Sequence, residues 1–267
     1  MKSKIQAVGM VFFLGAVGCG GGDGGKTGGF SSFIKDRIPK VPLSEMTAVA
    51  LDNTTAKPLA GVADQVSDAS GMVYFEGLPG DAKGKVGFLI KAKDKWIDTY
   101  QFNIDVTAQD EELWALDKWT YDNAPGMGGL VVKPEFGLLA GAFYYVNDAG
   151  QEEPVGCATA EIMVGTQKVS DDEIRYFNNG GLPTKLRPAG STDTTARNDS
   201  NPKNGLFTAA NLFTGSATIK MKVGEQVVGT ETTVIIKESA TKDALLITNV
   251  YVDKTISPTN PTPAGCL

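Results

Sequence analysis

The chain has 267 residues, 42% hydrophobic and 21% charged, and its 31 acidic side chains outnumber 25 basic ones to give a net charge of -6. Such an acidic chain, with no basic stripe, is a poor match for nucleic acid or anionic lipid surfaces, which both require clustered Lys and Arg. It contains no histidine, which removes the commonest general base, the usual zinc ligand and every Ser-His or Cys-His nucleophile pair, so neither catalysis nor a cofactor is expected.

In chain order, Met1, Lys2 and Lys4 make a cationic start, and Ile5 to Val17 is an uncharged apolar run closing on the small residues Ala16, Val17 and Gly18. This is the pattern of a secretory signal over residues 1–18. The run is shorter than the roughly 20 residues a membrane span needs, and the glycine tract after it cannot sustain a helix. Ala16-Val17-Gly18-Cys19 resembles the lipobox of bacterial lipoproteins, with Ala16 where Leu is usual. The resemblance implies a diacylglyceryl group on the Cys19 sulfur and a stable membrane anchor, since each buried methylene contributes about 0.8 kcal/mol. Removing the signal takes away two lysines and moves the net charge from -6 to -8. Gly20 rather than Asp follows the cysteine, which under enteric-type sorting implies lipid anchoring in the outer membrane, at the cell surface or on the periplasmic face. Residues 19–41 read as a Gly-rich tether.

About 210 residues separate tether from tail, too many for one small sandwich and enough for two domains. Apolar alternation bounded by Gly, Asn, Asp and Pro recurs along them and predicts strands. In WIDTYQFNIDV, Trp96, Tyr100, Phe102, Ile104 and Val106 share one predicted face, and Thr99, Gln101, Asn103 and Asp105 the other. In SATIKMKV, Ala217, Ile219, Met221 and Val223 oppose Thr218, Lys220 and Lys222. Both read as half-buried antiparallel strands. The predicted division is 42–122 for a first β-sandwich domain and 126–256 for a second, with DNAPGMGG as the joint and a Pro-rich tail over 257–267 that lacks order unless bridged.

A weak internal repeat runs through both halves. TAKPLAGVADQVSDASGMVYFEGLPG is matched by AGQEEPVGCATAEI, a long insertion, then NPKNGLFTAANLFTG. Each copy has a polar turn, a small-residue strand, an Asx-type turn and an aromatic strand. Gly71 and Gly205 are predicted to supply positive φ to tight turns in which Asp68 and Asn204 bond local backbone. These segments resemble the carboxypeptidase-regulatory-like, transthyretin-type β-sandwich modules of secreted bacterial proteins, whose strands run Pro-Leu-x-Gly-Ala and then Asp-x-x-Gly-x-Phe-x-Phe-x-x-Leu-Pro-x-Gly. The resemblance implies an all-β chain of two tandem antiparallel Greek-key or transthyretin-like sandwiches over roughly residues 43–256. RYFNNGGLPTK is similar to lipoproteins of myxobacterial or related lineages. The second copy departs from the pattern by its insertion and by Cys157 where glycine is preferred.

With Cys19 lipidated, Cys157 and Cys266 remain as an even pair, either bridged or as two free thiols. A bridge would strap the tail to the second domain. The acidic doublets Glu111-Glu112 and Glu152-Glu153 are what a two-carboxylate hydrolase would draw on, but their polar, turn-like contexts read as solvated surface. Asp199, Asn201 and Asn204, with Asp193 nearby, invite a calcium loop. The EF-hand pattern fails, because Lys203, Asn204 and Ala210 occupy positions that need an oxygen ligand, a glycine and a glutamate, so an Asx-rich turn is expected there. Trp114, Trp119 and Tyr121 are candidates for an aromatic platform, against packing between domains. The insertion over 165–204 is predicted to hold a short strand or helical turn, and its polar part, STDTTARNDSNPKNG, to be an exposed recognition surface. The expected function is that of a non-catalytic structural or adhesive lipoprotein displayed towards a protein or glycan. The alternative is a carbohydrate-binding module or an accessory subunit of a glycan hydrolase, which requires a cavity holding two acids or an exposed aromatic strip.

Overall fold

Alternating side chains build most of this molecule. The computed structural model describes residues 29–78, 85–107, 111–133, 135–186, 196–237 and 244–266; the signal, Cys19 and Asp193 lie outside them. The first half contributes β1 (Gly29–Asp36), β2 (Thr47–Leu51), β3 (Gln65–Val66), β4 (Met72–Glu76), β5 (Lys85–Ile90), β6 (Asp98–Asp105) and β7 (Glu112–Ala115), followed by helix α1 (Lys118–Met127). The second half contributes β8 (Gly137–Val146), β9 (Glu152–Pro154), β10 (Ala158–Val164), β11 (Gln167–Lys168), β12 (Ile174–Tyr176), β13 (Leu206–Leu212), β14 (Gly215–Val223), β15 (Gln226–Val227), β16 (Thr232–Ile236) and β17 (Ala244–Tyr251). The chain is all-β apart from α1 and a single 3-10 turn among the described residues.

The same connectivity occurs twice. In the first half β1 lies between β4, antiparallel, and β7, parallel, while β2 pairs with β3 and β5, and β5 with β6. In the second half β8 lies between β13, antiparallel, and β17, parallel, while β10 pairs with β11 and β14, and β14 with β16. Each half is therefore a two-sheet sandwich, and the sequence repeat is a repeat of structure. The turns form as the residues require. Gly71 and Gly205 have φ of +84° and +62°, and the Asp68 carboxylate and Asn204 amide oxygen accept backbone N–H bonds from Met72 and Leu206. A Cβ on Gly205 would stand 2.4 Å from the Phe143 carbonyl oxygen, so glycine is required there twice over.

The two sandwiches share a sheet. β17 pairs in parallel with β6 as well as with β8, so one nine-stranded sheet runs through both halves in the order β12-β13-β8-β17-β6-β5-β2-β3, with β9 beside β8. Three of the pairings are parallel, where uniformly antiparallel sheets are expected from the sequence. Ala48 and Ala50 of β2 point into the core closed by the three-stranded sheet, together with Phe30, Ile34, Phe75 and Phe88. Val49 and Leu51, on the opposite face, join the larger core of the second half with Phe143, Ile162, Phe207 and Ile219. A third apolar cluster, including Leu116, Tyr121, Leu130, Leu138 and Leu245, packs α1 and its flanks onto the shared sheet.

Several expectations change accordingly. Gly29–Asp36, read as tether, is the middle strand of the three-stranded sheet, because Phe30, Ser32, Ile34 and Asp36 alternate inward. The joint DNAPGMGG is not a linker: most of it completes α1, whose N-cap Asp117 accepts from the Thr120 amide at 2.9 Å. The single predicted face of WIDTYQFNIDV splits. Asn103 takes φ of +65° at a register shift opposite Val86 and Phe88, so Tyr100 and Phe102 face the second-half core while Ile104 and Val106 face the first. Thr99 and Gln101 on the supposed outer face are buried as well, and Gln101 bonds to Trp114 of β7 across that face. SATIKMKV is the half-buried strand expected of it.

The predicted bridge is formed. Cys157 and Cys266 are joined, with Cα atoms 5.8 Å apart, and the tail is strapped down rather than loose. Tyr145 donates to the Pro258 carbonyl at 2.7 Å, and the Gly156 amide donates to Thr262 Oγ1 at 2.9 Å. The insertion holds both predicted features, a 3-10 turn (Asp171–Glu173) and β12. Ala196, Arg197, Ser200 and Asn201 from its polar part are buried, which corrects the exposed reading for those residues.

Candidate functional site: a polar cleft beside the shared sheet

The three-stranded sheet ends at β7 and α1 covers the shared sheet further on, leaving a cleft of about 480 Å³ over β6, β17 and β8. This size falls within the range of small-molecule sites, roughly 300–1,000 Å³. Among the described residues β7 has no strand on its free side near Trp114. The buried Gln101 side chain of β6 substitutes for one, donating to the Trp114 carbonyl at 3.2 Å and accepting from the Trp114 amide at 3.1 Å. That pair of bonds fixes the edge of β7 against the shared sheet and sets the depth of the cleft.

Arg37, from the turn after β1, lies with its guanidinium 4.9 Å from the centre of the Trp114 ring. Among the described residues the guanidinium has no hydrogen-bond or ion-pair partner; only the Arg37 backbone amide is bonded, to Ala115. Burial pulls its pKa below the ordinary value, against the opposing pull of Tyr144 and Glu112. Glu112 is ion-paired with Lys35. On the far wall Tyr251 donates to Glu152 Oε1 at 2.6 Å, and its ring lies 6.1 Å from that of Tyr144. Burial, then the bond to Glu152, raises the Tyr251 pKa.

Glu111 completes the cleft. Burial first, then the neighbouring charges of Glu152, Asp105 and Glu112, push its carboxyl up to about 7. The two acidic doublets, 40 residues apart in sequence, thus contribute Glu111, Glu112 and Glu152 to one cavity. The solvated-surface reading fails for Glu111, which is partly buried. Glu152 is exposed, as that reading expects, and Glu153, half-buried in β9, accepts from Asn147 and from Asn260 of the tail. Because the folded pKa of Glu111 is raised, its effect on stability has a definite sign. Below about 4.5 the carboxyl is protonated in folded and unfolded chains alike. As pH rises the unfolded chain ionises first, so stability falls between about 4.5 and 7 and the loss is complete above that window. Glu111→Gln is expected to match wild type at pH 4 and to exceed it at pH 8 by roughly 1–2 kcal/mol, allowing for screening of a partly exposed group. Urea midpoints at the two pH values measure this, and equal midpoints at pH 8 would refute it.

The three aromatic candidates do not form one platform. Trp114 lines the cleft, Tyr121 is buried under α1, and Trp119 projects from α1, 66% exposed. Of the calcium candidates, Asp193 lies outside the described residues. The Asp199 carboxylate is held by Arg197 at 2.8 Å, and the buried Asn201 side chain accepts from the Lys203 amide and donates to Asn179. Among the described residues no three metal-ligating side chains cluster. Arg37, Tyr144 and Tyr251 were not foreseen. Only the inward alternation of Phe30, Ser32, Ile34 and Asp36 offered a signal, by placing the residue after Asp36 at a strand end.

No family model matches the chain, and no curated protein does. Among solved structures it is similar to the Bacillus anthracis TIE protein at 12% identity and a TM-score of 0.24, covering 85% of this chain and 34% of that one. A streptococcal ancillary pilin is similar at 10% identity and a TM-score of 0.26, covering 85% and 62%. The shaft pilin SpaA from Lactobacillus rhamnosus GG is similar at 11% identity and a TM-score of 0.25, covering 90% and 98%. The chain thus spans about a third of the first of these and less than two thirds of the second. At TM-scores near 0.25 these bacterial pilin and surface-protein structures are distant likenesses.

Proposed function

We propose that this chain is a non-catalytic module displayed from an outer membrane through lipidated Cys19, with a structural or adhesive role towards a protein or glycan. The β6–β17 pairing carries this reading: the two sandwiches cannot swing apart without breaking a ladder inside a shared sheet, so they act as one extended body. Its first described strand, β1, starts at Gly29, ten residues after Cys19. Ten residues reach at most about 35 Å, which keeps the first sandwich close to the bilayer. Metabolic acyl labelling tests the anchor: label is expected on the wild type and not on Cys19→Ser, and equal label on both would remove the anchoring claim.

A second reading, as a carbohydrate-binding module or accessory subunit of a glycan hydrolase, is favoured by one observation, the raised Glu111 carboxyl sharing a cavity with Glu152. If that pair were catalytic, purified protein would release reducing ends from oligosaccharides and Glu111→Gln would abolish the release. We expect none from the wild type.

A further inference from the structure

We propose that the cleft over the shared sheet is a binding site for a neutral saccharide, whose hydroxyl groups bridge the Arg37 guanidinium on one wall and the Glu111 and Glu152 carboxyls on the other. The inference rests on the adhesive reading above and specifies the ligand.

The chemistry of the walls selects the ligand. At one end stands a half-buried guanidinium that lies against the Trp114 ring and, among the described residues, uses none of its N–H donors. At the other, the Glu111 carboxyl has no hydrogen-bond partner among the described residues, and Glu152 spends one oxygen on Tyr251 and keeps the other. Arg37 and Glu111 are half-buried and Glu152 is exposed at the mouth, so a good ligand replaces the water on these groups by accepting from Arg37 and donating to the carboxyls. An ammonium donates but cannot accept. A carboxylate or phosphate could accept from Arg37 and Lys40 but cannot donate, and would face Glu111, Glu112 and Glu152 across the cleft. A hydroxyl does both, and adjacent hydroxyls on one ring do so at several points at once. Tyr144 and Tyr251, with rings 6.1 Å apart, offer the apolar contact that a sugar ring face requires. The cavity of about 480 Å³ has room for more than one ring, and its predominantly polar walls argue against a lipid or an aromatic drug-like ligand.

The test uses the purified full chain on an array of neutral, amino-bearing and carboxylate-bearing oligosaccharides. Binding is expected to neutral glycans, with Kd raised about 10- to 100-fold by Arg37→Lys, which keeps the charge but loses the planar fork, and by Glu152→Gln. Glu152 is exposed, so the second variant does not endanger folding. Retention of acidic or amino glycans alone, or neutral binding unchanged in both variants, overturns the proposal. A parallel assay scores adhesion of protein-coated beads to cells and matrix, with and without the bound saccharide as competitor. Adhesion that the saccharide does not compete overturns the cleft assignment while leaving the adhesive reading standing. Neutral binding to the cleft without adhesion removes the adhesive reading and leaves the site.

Discussion

Cys157→Ser is expected to lower the free energy of unfolding by about 4–5 kcal/mol. The bridge closes a loop with a sequence separation of 109, and in the chain-entropy model a loop of about that length contributes this much by restricting the unfolded chain. The folded state adds smaller terms. Without the bridge, the bonds from Tyr145 to Pro258 and from Gly156 to Thr262 must hold the tail against its own freedom. Cys157 also adopts φ of +54°, a left-handed conformation that costs a side-chain-bearing residue roughly 1–2 kcal/mol relative to glycine. Cys157→Gly should therefore lose the bridge yet fall less far than Cys157→Ser, and wild type in strong reductant should sit close to the serine variant. Urea denaturation of the three proteins gives the ranking. A serine variant with an unshifted midpoint, or a glycine variant below it, would contradict the account. The preference for glycine at this position in the strand pattern thus has a backbone cause that the cysteine overrides for the sake of its partner.

What the sequence makes legible follows the range of each cause. Short-range causes can be read directly: the Asx-Gly turns at Gly71 and Gly205, the SATIKMKV strand, and the aromatic strands of the repeat. Counting cysteines also offers Cys157 and Cys266 as a candidate pair, bridged or free, and the structure bridges them. Long-range causes cannot be read this way. β6 looks half-exposed because its polar residues alternate, yet Gln101 is buried to complete the edge of β7, a role visible only once β7 stands beside it. β1 hides inside a glycine-rich composition, and its inward Ser32, which donates to the Glu111 carbonyl at 2.7 Å, weakens the apolar pattern. α1 contains Pro125 and Gly126, which argue against a helix, and tertiary packing of Tyr121 and Pro125 overrides them. The cleft draws on β6, β7, β8, β9 and β17 and on the turn after β1. Its acidic residues were seen singly, but the fold that converges them was not.

Phe207→Ala is expected to cost about 3–5 kcal/mol and, more tellingly, to move the unfolding of both halves together. Phe207 is fully buried and stacks on Phe143 with ring centres 4.6 Å apart. Its ring also covers Gly141 on the paired strand, where an added Cβ would stand 2.6 Å away, so the residue paired with it offers no side chain to the space that alanine leaves. The cluster containing Phe207 includes Val49, Leu51 and Phe102 from the first sandwich, and the β6–β17 ladder joins the two by hydrogen bonds. A defect in the second core therefore loosens the support of the outer face of the first. Scanning calorimetry of wild type should show one transition, shifted down as a unit by roughly 10 °C in the variant. Two wild-type transitions, of which the substitution moves only the second, would mean that the shared sheet does not couple the sandwiches, and the reading of the molecule as one extended body would fall with it.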